Sequence, residues 1–141
     1  MIDDKNKIID FVIRSDNEFI PSLSSRVNLE EYTNKLINNA VILTNNCNGV
    51  INALLGGYNN NEIAYVSYLY VDECARGQGI SKKLLNKFIE KSNENGNRAI
   101  RLTVRKESSA YYLYSNFGFC IINEFKYTDV DILGVTMELV L

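Results

Sequence analysis

The stretch from Ile63 to Ile89, "IAYVSYLYVDECARGQGISKKLLNKFI", constrains this chain more than any other. Its first nine residues are rich in β-branched and aromatic side chains and read as a long strand ending at Val71. The period then changes. Ile80, Leu84, Leu85, Phe88 and Ile89 fall on one helical face; Lys82, Lys83, Asn86, Lys87 and Glu90 fall on the other. Between them lies Arg76-Gly77-Gln78-Gly79, in a chain that has only eight glycines. Glycine takes backbone angles that side chains forbid and lets a ligand approach the main chain. The helix behind it offers unpaired N–H groups and a positive dipole end. A strand, a glycine turn and a helix in that order suit an anion held by backbone amides, a phosphate above all, with Arg76 as a fixed charge at the rim. A GxG before a helix is also a common tight turn, and these residues alone leave both readings open.

The flanking sequence supplies one sheet and more helices. "NLEEYTNKLINNA" reads as a helix, with Asn28 as N-cap, Glu31 in capping-box position and a stripe of Leu29, Tyr32, Leu36 and Ile37. A short helix over Lys7 to Arg14 is expected before it, and an irregular connection around Pro21. "AVILT" and "VINALLGGY" are strands joined by an Asn48-Gly49 turn, and with Ile63–Val71 they should form an antiparallel meander. The central helix should end near Asn95 with Gly96 just past its end. Then "AIRLTV" is a strand, "SSAYYLYSNFG" a short helix, and "FCIINEF" and "GVTMELVL" two more strands. The order predicts an α/β fold, a single mixed and mostly antiparallel sheet flanked by helices.

Composition narrows the chemistry. A length of 141 residues suits one domain, residues 1–141. No histidine is present, which removes Ser-His-Asp and Cys-His nucleophilic catalysis and histidine zinc sites. The three cysteines, Cys47, Cys74 and Cys120, are an odd number and widely spaced, so neither a disulfide framework nor a metal knuckle is expected. The net charge of −2 argues against nucleic acid as the main partner. No apolar run is long enough to span a bilayer, and "MIDDKNKIIDF" lacks the apolar stretch of a secretory signal, so a cytoplasmic location is expected.

Two motifs together resemble those of the GNAT superfamily of acetyl-CoA-dependent N-acetyltransferases. Arg76-x-x-Gly79-x-Ser81 resembles that family's Q/R-x-x-G-x-G/A signature. "AYYLYSNFGF" is similar to its later A-x-x-L-Y-x-x-x-G-F segment, with Ala110, Leu113, Tyr114, Gly118 and Phe119 matching at the usual separation. The resemblance covers Ala40 to Leu141 and implies acetyl-CoA as cosubstrate, with no metal. By that resemblance the sheet should open between the strands Ile63–Val71 and Ala99–Val104. Leu69, Tyr70 and Val71 would hold the pantetheine arm, one of their amides serving as oxyanion donor. Amides of Arg76, Gly77, Gln78, Gly79, Ile80 and Ser81 would hold the pyrophosphate. Tyr114 matches the family's general acid, though it also lies on its helix's apolar stripe and reads equally as a core tyrosine.

Two positions depart from the pattern. Glu107 stands where relatives carry an asparagine, which leaves its contact with the cofactor open. Members often carry a glutamate midway along the central strand, but here the residues are Val66, Ser67 and Tyr68. Glu62 is the nearest acidic residue and reads as a solvated turn residue. A water chain including Ser67 or Tyr68 would then take the amine proton.

The acceptor is the least determined element. "FIPSLSSRVNLEEYTNKLINNA" resembles the N-terminal part of GNAT members from surface-polysaccharide gene clusters. That implies a small-molecule primary amine, an amino sugar linked to a nucleotide being one form, with Ser24, Ser25 and Arg26 within reach. The same three residues also read as tethers of the helix after Asn28. A peptide or protein N-terminus, and a non-catalytic acetyl-CoA-binding module, are the rival readings. Relatives pair edge strands between subunits, so the resemblance also admits a homodimer. Cys74, with no histidine to activate it, is expected to be incidental.

Overall fold

The computed structural model describes residues 2–127 and 130–141. Four helices and six strands alternate along it: α1 (Ile2–Arg14), α2 (Leu29–Asn39), β1 (Val41–Cys47), β2 (Val50–Tyr58), β3 (Ile63–Val71), α3 (Ile80–Glu94), β4 (Ala99–Arg105), α4 (Ser109–Phe117), β5 (Cys120–Lys126) and β6 (Leu133–Val140). The strands form one sheet in the order β1-β2-β3-β4-β6-β5. Only β3 and β4 run parallel. This is the mixed, mostly antiparallel sheet expected from the sequence.

Local chemistry accounts for the ends of these elements. Asn48 and Gly49 have φ of 53° and 79°, the left-handed pair that a two-residue type I′ hairpin requires. Asn28 Oδ1 accepts from the Glu31 amide at 3.0 Å and caps α2. α3 ends at Asn95, with Gly96 left-handed behind it. The first helix differs from expectation. It begins at Ile2, well before Lys7, because Asp4 favours a helix N-terminus and Ile8, Phe11 and Val12 continue one apolar stripe. Pro21 lies between two single 3₁₀ turns, Asp16–Glu18 and Leu23–Ser25.

Each face of the sheet has its own core. Ala53, Leu55, Ala64 and Val66 pack with Leu84, Leu85 and Phe88 of α3 and Tyr114 of α4. On the other face Leu54 and Tyr68 pack with Phe11 and Val12 of α1 and Leu36 of α2. Gly56 and Gly57 let helices close in from both sides. A Cβ on Gly57 would lie 2.5 Å from the Phe88 ring, and one on Gly56 would lie 3.1 Å from a Leu36 methyl.

β3 contains a bulge. Gly57 pairs with Val66 and Gly56 with Tyr68, which leaves Ser67 as an extra residue. The insertion reverses the alternation of faces. Ala64 and Val66 face α3, yet Tyr68 two residues on faces α1, while Leu69 and Val71 return to the α3 side.

Candidate active site

The ladder between β3 and β4 is three residue pairs long, Ile63–Ala99, Ala64–Ile100 and Tyr65–Arg101. Beyond Tyr65 the two strands part, immediately before the bulge at Ser67. A bulge bends its strand and increases the local twist, and here it coincides with the point of divergence. A cavity of about 500 Å³ fills the opening. One wall is β3 from Val66 to Val71, the other β4 from Leu102 to Arg105, with Ser108, Ser109, Ala110, Leu113 and Tyr114 behind. The Tyr65 hydroxyl lies 3.2 Å from Thr103 Oγ1 and bridges the strands where they separate.

The wall of β3 presents free main-chain groups. In an antiparallel pair successive residues turn their N–H and C=O alternately toward and away from the partner. The Asp72 amide donates to Asn52 of the β2 side at 2.8 Å. Val71 and Leu69 are therefore in the phase that faces away from β2, into the opening. The Val71 carbonyl accepts from Arg76 Nε at 3.2 Å; the amides of Leu69 and Val71 remain available to an extended ligand.

The glycine turn follows a single 3₁₀ turn, Glu73–Ala75. Gly77 and Gly79 have φ of 80° and 73°, and a Cβ at either would meet nothing within 4 Å. Packing does not require these glycines; the backbone conformation does. Gly79 is the N-cap of α3. Among the described residues, no amide from Gly77 to Lys82 donates to a turn, cap or side-chain acceptor. Exposed amides at a helix start are what an anionic ligand needs. Arg76 is held there by Val71 and by the Tyr70 hydroxyl, 3.4 Å from its Nη2.

The expected site residues divide into three groups. Leu69, Tyr70, Val71, Arg76, Ser81 and Tyr114 line the cavity. Gly77, Gln78 and Gly79 form the exposed turn at its edge, and Ile80 buries its side chain in the α3 core so that only its amide faces the turn. Glu107 lies apart: it is exposed with φ of 62°, and the N-cap of α4 is Ser108, whose hydroxyl accepts from the Tyr111 amide at 3.2 Å. Tyr114 sits edge-on to Phe119 with centroids 5.7 Å apart. Burial pushes its phenol well above the usual tyrosine range, and among the described residues its hydroxyl bonds no protein group, so it is a protonated donor beside the cavity.

The candidates for proton removal are also separated. Glu62 lies at the closed end of β3, ion-paired with Arg98 at 3.1 Å, both side chains exposed. Tyr68 turns away into the α1 core, its hydroxyl 2.6 Å from Ser15 Oγ, because the bulge has reversed its face. Ser67 does line the cavity, its Oγ 2.8 Å from the Tyr32 hydroxyl. Cys74 is exposed and lies outside this cavity, beside a shallow depression with Arg14 and Asp72.

At the end nearest the N-terminal segment, Ser24 is tied to Asp16 through its amide at 2.7 Å and its hydroxyl at 2.6 Å, and Ser25 to the Ser22 carbonyl at 2.6 Å. These two are tethers. Arg26 lines the cavity, its guanidinium 5.3 Å from the centre of the Tyr127 ring. Sequence reasoning missed Glu18, Phe19, Arg105 and Tyr127, which also line it. No local motif marks them; they meet only because the α1–α2 connection, the end of β4 and the end of β5 surround one opening.

Comparison with known proteins agrees with this architecture. The family model described as an acetyltransferase (GNAT) domain matches residues 11–141. No curated protein sequence matches the chain significantly. Among solved structures, a GNAT-family acetyltransferase from Streptococcus pneumoniae is similar at a TM-score of 0.78 and 21% identity, over 99% of this chain and 94% of that one. A ribosomal-protein-alanine N-acetyltransferase from Brucella melitensis is similar at 0.75 and 17%, over 97% and 96%. A GNAT-family acetyltransferase from Elizabethkingia anophelis with acetyl-CoA bound is similar at 0.68 and 18%, over 79% and 83%. With the family model covering nearly all of the sequence and the fold repeated across these relatives, the chain belongs to the GNAT family and is an acetyl-CoA-dependent acetyltransferase.

Proposed function

We propose that residues 1–141 act as one N-acetyltransferase domain that moves the acetyl group of acetyl-CoA directly to a primary amine of a small molecule. The observation that carries the reading is the parting of β3 and β4 after three residue pairs, with the Leu69 and Val71 amides on its wall and Tyr114 lining the same cavity. Acetyl-CoA supplies an activated thioester. The amides of Gly77 to Ser81, with Arg76 beside them, would hold its diphosphate. The Leu69 and Val71 main chain would take its amide arm as an added strand, one N–H facing the thioester oxygen and stabilising the charge that develops there. A carbon–nitrogen bond forms and the carbon–sulfur bond breaks. The amine gives up a proton, and the leaving thiolate gains one from Tyr114. Among the described residues no carboxylate bonds Ser67, and the amine proton leaves through water, Ser67 and Tyr32 being the hydroxyls at hand. The exposed free cysteines suit a cytosolic setting.

A protein N-terminus is the second reading, favoured by the names of relatives such as the ribosomal-protein-alanine N-acetyltransferase from Brucella melitensis. The decisive experiment is thiol release from acetyl-CoA with a panel of small amines, amino sugars and short peptides, after a thermal shift has established cofactor binding. A hundredfold excess over Kd stabilises the folded form by roughly 2.7 kcal/mol. We expect Tyr114→Phe to keep the thermal shift and to lower kcat about a hundredfold or more. Binding without turnover across the panel, unchanged by Tyr114→Phe, would instead make the chain a non-catalytic acetyl-CoA-binding module.

A further inference from the structure

The six arginines of this chain divide by position. Arg14, Arg98 and Arg101 are ion-paired, with Asp72, Glu62 and Glu138. Arg26, Arg76 and Arg105 line the cavity, and among the described residues none of these three has a carboxylate partner. Among the described residues, the only carboxylate lining the cavity with them is Glu18. A protein of net charge −2 thus places a surplus of positive charge around this opening. Charge of one sign in a cleft concentrates ligands of the other.

Arg76 is accounted for at the glycine turn, where it is fastened to Val71 and Tyr70. Arg26 and Arg105 are not. They come from different parts of the chain and share Tyr127: the Arg26 guanidinium stands 5.3 Å over that ring, and the charges of both arginines favour the Tyr127 phenolate against the burial that disfavours it. Arg26 is also held in place. Its Nη2 donates to the Pro21 carbonyl at 3.0 Å and its Nε to the Ser22 carbonyl at 3.4 Å, and among the described residues the fork's further N–H donors are unclaimed. A preset guanidinium with spare donors, lining one cavity with a second, matches the oxygens of a carboxylate or phosphate.

We propose that Arg26 and Arg105 form an anion subsite for the acceptor, so that the amine acetylated by this protein carries a carboxylate or a phosphate. The inference rests on the acetyltransferase reading and names the substrate class for it. Amino sugars bearing phosphate and amino acids bearing carboxylate are the two sources of that anion, and a neutral amine is disfavoured.

Two measurements test the subsite separately from the reaction. In protein saturated with coenzyme A, inorganic phosphate and acetate are titrated while tyrosine fluorescence is followed. At least one should bind saturably, and Arg26→Gln or Arg105→Gln should weaken it about tenfold or more, as expected for a charged hydrogen bond. Arg98→Gln, far from the cavity, should change nothing. Binding that survives both substitutions, or that vanishes when coenzyme A is present because the cofactor's own phosphates occupy these arginines, overturns the proposal. In the second measurement, acetyl transfer is compared between an amino sugar and its phosphate ester, and between an amino acid and its amide. The anionic member of at least one pair should have the lower KM, and Arg26→Gln should raise KM for that member about tenfold or more relative to its neutral counterpart. Equal kcat/KM within both pairs overturns the proposal and leaves the transferase reading intact. Anion binding at these arginines with no transfer to any amine overturns the transferase reading and, with it, the acceptor role of the subsite.

Discussion

The Tyr32 hydroxyl lies 2.8 Å from Ser67 Oγ and 3.0 Å from the Ser67 carbonyl oxygen, so a side chain of α2 holds the bulged residue of β3. Because the bulge coincides with the parting of β3 and β4, this contact ties helix packing to the shape of the opening. Tyr32→Phe should cost about 1 kcal/mol in urea denaturation, the usual net value of a hydrogen bond. Ser67→Ala keeps the carbonyl acceptor and should cost less. Equal losses would show that the carbonyl contact contributes nothing.

Three buried phenols predict alkaline instability. Burial pushes Tyr32 up to about 12 despite its bond to Ser67, and pushes Tyr68 and Tyr114 up as well. Below the unfolded tyrosine value, near pH 10, both states are protonated and these groups do not affect the balance. Above it the unfolded chain loses protons that the folded chain keeps, so stability falls as pH rises. Each phenol contributes a slope of up to about 1.4 kcal/mol per pH unit. Urea midpoints measured on either side of pH 10 should fall on the alkaline side, in step with the appearance of phenolate absorbance. A flat profile there contradicts the burial of these rings.

Two glycines should fail differently. Gly79→Ala meets no neighbour but forces a side chain into φ of 73°, a cost of about 1 kcal/mol. Its larger effect should be on coenzyme A, with a Kd raised about tenfold where the backbone can no longer be approached. Gly57→Ala drives a methyl into the Phe88 ring, and overpacking of that kind costs about 1–3 kcal/mol. Its Kd for coenzyme A should change little once the protein is folded. If Gly79→Ala binds coenzyme A as the parent does, the turn is not a diphosphate site.

The carboxylates give a test of the proton path. Glu62 pairs with Arg98 on the surface, where an ion pair is worth about 0–1 kcal/mol. Glu62→Gln should leave both stability and the pH–rate profile nearly unchanged. Glu18 lines the cavity, and Glu18→Gln should likewise leave the acidic limb in place if water carries the proton. A strong displacement of that limb by either substitution would identify a general base and end the water-relay reading.

Much of the fold was legible along the chain. The Asn48-Gly49 turn, the Asn28 cap, Gly96 and the change of period after Val71 each report local backbone preference, and local preference survives folding when the tertiary structure agrees with it. Strand order was less accessible, because pairing β4 with β6 rather than β5 is a choice between distant segments. The site was legible where a motif spans neighbouring residues, as from Arg76 to Ser81, and illegible where it does not.

The sequence by itself determined the elements, the glycine turn and the amphipathic faces, since these depend on dihedral preferences and hydrophobic period within a few residues. Only the tertiary structure decided which face Tyr68 takes, where the sheet opens, and that Arg26, Arg105 and Tyr127 meet. A single inserted residue reverses a strand's alternation without altering its composition. Side chains far apart in sequence become neighbours only when the sheet order brings their loops to one opening.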